Sequence, residues 1–153
     1  EAAGAEAAEA PAGAAALGPE ASEDAAAEQR EALLAEARGL YEQVLNQNPN
    51  NSYAVNGLAL FVDGDAEKRR LLERAVELDG DNPYALANLA SHLEGKDDRR
   101  AVRCLDHALA VNPRLFYARL FRSRALLRLG NLDGAIASAR EHLRWRPGDA
   151  LAG

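Results

Sequence analysis

Residues 81–88 read DNPYALAN, and close versions of that stretch stand at 48–56, NPNNSYAVN, and at 112–120, NPRLFYARL. Tyr53-Ala54, Tyr84-Ala85 and Tyr117-Ala118 are spaced by 31 and 33 residues, and Pro113 and Pro147 lie 34 apart. Self-similarity at such a period marks a solenoid, because one short unit cannot bury its apolar face without its neighbours. The central copy also reads as a helix entrance. Asn82 caps free amides, and Pro83 at the first helical position gives up a donor that would have no partner there.

Outward from these entrances the apolar residues keep helical spacing. Leu33, Leu34, Ala37, Leu40, Tyr41, Val44 and Leu45 paint one stripe and predict a helix over 30–46. The Asn-rich stretch 46–51 with Pro49 reverses the chain. A helix is then expected from Ser52 to Val62, closed by Asp63-Gly64-Asp65, with Asp65 placed to cap the partner helix Ala66–Leu78. The same hairpin is predicted over 83–94 and 98–111, and again over 115–129 and 132–146. The fold class is all-α: a leading helix and about three repeats, at 49–79, 80–112 and 113–147, with 148–153 opening a further helix.

Composition agrees with this pattern. Hydrophobic residues make up 48% of the 153, mostly Ala and Leu, and only 5% are aromatic, which suits helices packed through small side chains. The first 30 residues hold 14 alanines with Pro11, Pro19 and three glycines, so 1–29 reads as an acidic leader or linker. No apolar run approaches the roughly 20 residues of a membrane span, and the start lacks the basic and Leu-rich parts of a signal peptide. The chain reads as soluble, and its localisation stays open. Cys104 stands alone, which rules out an intrachain disulfide framework. Beginning at Glu1 with no Met, and closing on a helix-entrance signal at Pro147-Gly148-Asp149, the sequence is expected to be a piece of a longer chain. The net charge of −6 hides a polarity: residues 1–31 carry eight acids against Arg30, whereas 113–147 carry eight arginines against Asp133 and Glu141.

GNLDGAIA at 130–137, RAVELDGDN at 74–82 and HALAVNP at 107–113 resemble the turn, second helix and inter-repeat proline of the tetratricopeptide-repeat family. The resemblance covers about residues 32–153. It implies a right-handed superhelix of helical hairpins whose usual activity is binding peptides or partner proteins. The chain departs from the family at Arg119 and Arg122, where large apolar residues are usual, and at His142, where a small Ala is usual.

In such a stack the first helix of each repeat lines a concave groove. Candidate groove residues are Tyr53, Asn56 and Leu60 from the first repeat, Tyr84, Asn88 and Ser91 from the second, and Tyr117, Phe121, Arg124 and Arg128 from the third. Asn amides suit a peptide backbone, aromatic rings supply contact area, and Arg suits acidic side chains. The tyrosines either face that groove or pack on the preceding repeat with their hydroxyls wet. One subclass of the family clasps chaperone-tail carboxylates with Lys, Asn, Asn, Lys and Arg. The matching places here hold Asn56, Leu60, Asn88, Tyr117 and Phe121, so no such clamp is expected.

Other chemistry is thinly represented. Cys104 and His107 form C-x-x-H with no second pair to complete a zinc site, so no metal or cofactor is expected. Arginines beside Phe116, Tyr117 and Phe121 could stack nucleic acid, but an acidic remainder disfavours that. No nucleophile–His–acid motif or phosphate loop occurs, which argues against an enzyme. The expected role is a protein-interaction module or scaffold with a protein or peptide partner, acidic where it meets the arginines. Two alternatives are a self-associating structural module and a docking segment of a larger enzyme. In the first, the −7 leader could lie on the +6 third repeat.

Overall fold

A computed structural model describes residues 19–145. The leader before Pro19 and the expected helix start at 148–153 lie outside the described residues. The chain divides into two units, 1–35 and 36–153. In the first, the described part is the opening of helix α1, Pro19–Gln47, and residues 22–35 are exposed throughout. The helix starts at Pro19 rather than at 30. The intervening residues are mostly Ala, Glu and Gln, strong helix formers, and proline costs nothing at the first position.

Six helices follow in the second unit: α2 Ser52–Ala59, α3 Asp65–Leu78, α4 Pro83–Leu93, α5 Asp98–Val111, α6 Phe116–Arg128 and α7 Leu132–Trp145. The described residues are all helix and turn, with no strand. Two local expectations are corrected. Helix α2 stops at Ala59, short of Val62, because Leu60 and Phe61 bond back to Gly57 and Leu58 in three-residue steps that tighten the last turn and end it. Asp65 does not cap α3. Gly64 occupies the cap position without a side-chain bond, and the Asp65 carboxylate instead takes the Lys96 ammonium at 2.8 and 3.1 Å.

Each helix from α2 onward packs on the next, and α2 also touches α4, as α4 touches α6. No such contact joins α3 to α5 or α5 to α7 among the described residues. The stack therefore closes up on the side of the first helices of each hairpin, α2, α4 and α6, which form its inner layer. Small side chains make this approach possible: Ala85, Ala101, Ala108, Ala118 and Ala125 are fully buried, interleaved with Leu86, Leu89, Leu93 and Leu105. At the start of the second unit the Tyr41 ring lies on the bare backbone of Gly57 and meets the Phe61 ring at 6.0 Å.

Candidate functional site

Hydrogen bonds fix how the inner helices lie. Asn82 Oδ1 accepts the amides of Tyr84 and Ala85 at 3.1 Å each, while its Nδ2 donates to Ser52 Oγ at 2.7 Å. Ser52 in turn donates to the Ala75 carbonyl at 2.8 Å. The start of α4 is thus tied to the start of α2. Midway along, Asn88 Nδ2 donates to Asn56 Oδ1 at 2.9 Å. At the far end, Glu94 takes Arg124 at 2.7 Å, and Asp98 takes Arg128 at 2.8 Å. Start joins start, middle joins middle and end joins end, so α2, α4 and α6 run side by side in one direction.

This register brings the three tyrosines to one edge. Tyr53 and Tyr84 meet edge-to-face with centroids 6.2 Å apart, and 52% and 43% of their surfaces are exposed. Tyr117 is half-buried; burial, and then Tyr84 beside it, push its hydroxyl pKa up. It continues the row onto Phe121 at 5.7 Å and Phe116 at 6.2 Å. Tyr53 and Tyr84 lean on one another and keep about half of their surfaces open.

The polar candidates are differently placed. Asn56 is buried and spends its amide oxygen on Asn88. Arg124 stacks on the Phe121 ring at 5.9 Å while paired with Glu94, and Arg128 bonds Asp98 through both Nε and Nη2. Sequence reasoning offered these arginines to an acidic partner; the structure engages both with acids of the preceding repeat. The signal was present in Glu94 and Asp98, which end one helix and begin the next beside the third repeat, but pairing across repeats needs the register. Burial alone would raise the Asp98 pKa. The Gly95 amide and the Arg128 guanidinium outweigh it and hold that carboxyl below its usual 3.8.

Leu60 and Ser91 lie at the opposite edge from the tyrosines. They border a cavity of about 290 Å³ whose floor is Ala59 and Leu72 and whose wall includes Asn88, Lys68 and His92. Neither Lys68 nor His92 is among the groove candidates read from the sequence. Lys68 belongs to α3, and His92 carries no motif.

No family model and no curated protein matches the sequence. Among solved structures, two crystal structures of MamA superpose with TM-scores of 0.64 and 0.63, each at 22% identity over 79% of this chain. They are covered over 73% and 68% of their own lengths. The fold is a tetratricopeptide-like helical repeat.

Within that tetratricopeptide-like frame the three departures each acquire a contact. Arg119 is buried with its Nε 3.6 Å from Glu141 Oε2. Arg122 bonds Asp106 and the buried Ser138 hydroxyl, tying α6 to both α5 and α7. His142 Nδ1 lies 2.8 Å from the Phe116 carbonyl, and its ring tilts against the Phe116 ring. Nε2 of His107 meets Asp81 at 2.7 Å, and burial pushes the Cys104 thiol up, with Arg100, Arg103 and Asp97 as its charged neighbours.

Proposed function

We propose that the chain is a non-enzymatic protein-binding module whose inner helices hold a segment of a partner along their shared face. The observation that carries this reading is the row of rings Tyr53, Tyr84 and Tyr117, contributed one per repeat and partly open to solvent. Aromatic side chains supply large contact area at small entropic cost, and helices already locked in register need no ordering when a partner arrives. Asn88, Ser91 and Leu60 extend the same face toward its other edge. Selection of random peptides displayed against the full chain tests the reading. Peptides should be recovered, and a Tyr53→Ala/Tyr84→Ala double variant should lose them by tenfold or more while unfolding at nearly the wild-type temperature. Peptides that bind the double variant unchanged would refute it.

Self-association has one observation in its favour. Leu132, Ile136 and Leu143 of α7 are about half exposed along the last hairpin. Concentration-dependent size in light scattering would point there, and a size constant across a hundredfold range would dismiss it.

A further inference from the structure

We propose that the cavity between α2, α3 and α4 is an anchoring pocket for an acidic side chain, glutamate-like, of the segment held along the inner helices. This rests on the protein-binding reading and adds to it the chemistry that the partner must carry. The cavity is about 290 Å³ and partly open to solvent, with the exposed Leu60 on its border and the buried Leu72 and Ala59 offering apolar surface to the methylenes. Its charge comes from α3. The Lys68 side chain, partly buried, makes no hydrogen bond or ion pair among the described residues, though its charge reaches Asp65, whereas its sequence neighbours Arg69 and Arg70 are paired with Glu73 and Glu67. An ammonium beside a partly apolar cavity attracts a carboxylate more strongly than one in open water, since the local dielectric is lower.

His92 supplies the second feature. Its side chain is 7% exposed, and its Nε2 is buried without a hydrogen bond, 3.6 Å from Asp65 Oδ1 and so beyond bonding reach. Burial first, and then Lys96, hold its pKa below 6.5, with Arg69 and Lys68 acting in the same sense and Asp65 against them. These four charges come from α3 and from the turn after α4. The nearest acid, Asp65, is already held by Lys96. A carboxylate entering the cavity beside Lys68 adds a negative charge against this ring and favours its protonation. By linkage, the carboxylate then binds more tightly as pH falls through the His92 range.

The full chain, isotope-labelled, is titrated with blocked glutamate (acetyl-Glu-N-methylamide) and with its glutamine isostere, while the His92 ring and Lys68 ammonium are followed by NMR. Blocked glutamate should give saturable shifts at both groups, stronger at about pH 6 than at about pH 8, and the glutamine isostere none. Lys68→Gln should weaken the response roughly fivefold, and Lys68→Arg should restore most of it. Equal responses to the two probes, or no saturable shift at tens of millimolar, would overturn the pocket. Peptides selected on the full chain should carry Asp or Glu at one fixed position, and that preference should vanish with Lys68→Gln. Peptides without it would overturn the pocket and leave the protein-binding reading standing. If no peptide is recovered, that reading fails, and the glutamate titration judges the pocket by itself.

Discussion

Asn82 is the residue whose loss tells most about how this stack holds together. It is fully buried, caps α4 through two amides and donates to Ser52, which itself bonds the Ala75 carbonyl. Asn82→Ala removes the cap, worth about 1 kcal/mol. It also leaves the Ser52 oxygen without its donor in a buried site, for a further 1–2 kcal/mol or so. The expected loss is thus about 2–3 kcal/mol, or a fall in melting temperature of about 5–10 °C for a chain of this size. Asn51 provides the internal control. It caps α2 through a single bond to the Ala54 amide at 3.0 Å and has no inter-repeat partner among the described residues, so Asn51→Ala should cost only about 1 kcal/mol. Urea titrations followed by circular dichroism, with unchanged slopes, give both numbers. A double-mutant cycle with Ser52→Ala then isolates the bond between the repeats. Equal losses for Asn82→Ala and Asn51→Ala would show that the Asn82–Ser52 bond contributes nothing, and the account of how α4 is registered on α2 would fall.

Gly57→Ala should destabilise by about 1–2 kcal/mol although alanine is the better helix former, because the new methyl meets the Tyr41 ring. In a Tyr41→Ala background the same change should become favourable, which a pair of urea titrations decides. Asp98 has a folded-state pKa below 3.8, so its contribution is complete above that value and is lost as pH falls through the lower folded value. Asp98→Asn should therefore flatten part of the acid limb of the stability–pH curve. A carboxyl resonance titrating at or above the unfolded value would contradict this. Burial raises the Cys104 pKa, so alkylation by iodoacetamide should be several-fold slower in the native chain than in urea, and equal rates would place the thiol at the surface.

The sequence made the hairpins legible because the signals are local. Asn82-Pro83 announces the start of α4 within one turn, and the stripe Ala101, Val102, Leu105, Ala108 and Leu109 gives the buried side of α5 by period alone. Helix ends set by backbone bonding were less legible. Nothing in Leu60-Phe61 says that the amides there turn back three residues rather than four. Contacts between repeats were the least legible. Ser52 with Asn82, Glu94 with Arg124 and Lys68 with the α2–α4 cavity join residues about 30 positions apart or on different helix faces, and only a known register pairs them.

That register gives the repetition a meaning of its own. In a stack of parallel helices, a residue recurring at the repeat period lands beside its own counterpart, so Tyr53 meets Tyr84, and Asn56 meets Asn88 at a near-equivalent place. Such residues form a ladder that holds the repeats in line, and a ladder alike at every step cannot tell one partner sequence from another. Discrimination has to come from positions that differ between steps. Seven residues after each tyrosine stand Leu60, Ser91 and Arg124: an apolar, a hydroxyl and a cationic side chain along one edge. Arg124 is paired with Glu94, and Leu60 and Ser91 border the cavity that Lys68 charges. On the proposed reading, the tyrosine edge supplies affinity and the varied edge selects among partners. Exchanging Leu60 for Arg should then change which peptides are recovered more than how tightly the best of them bind.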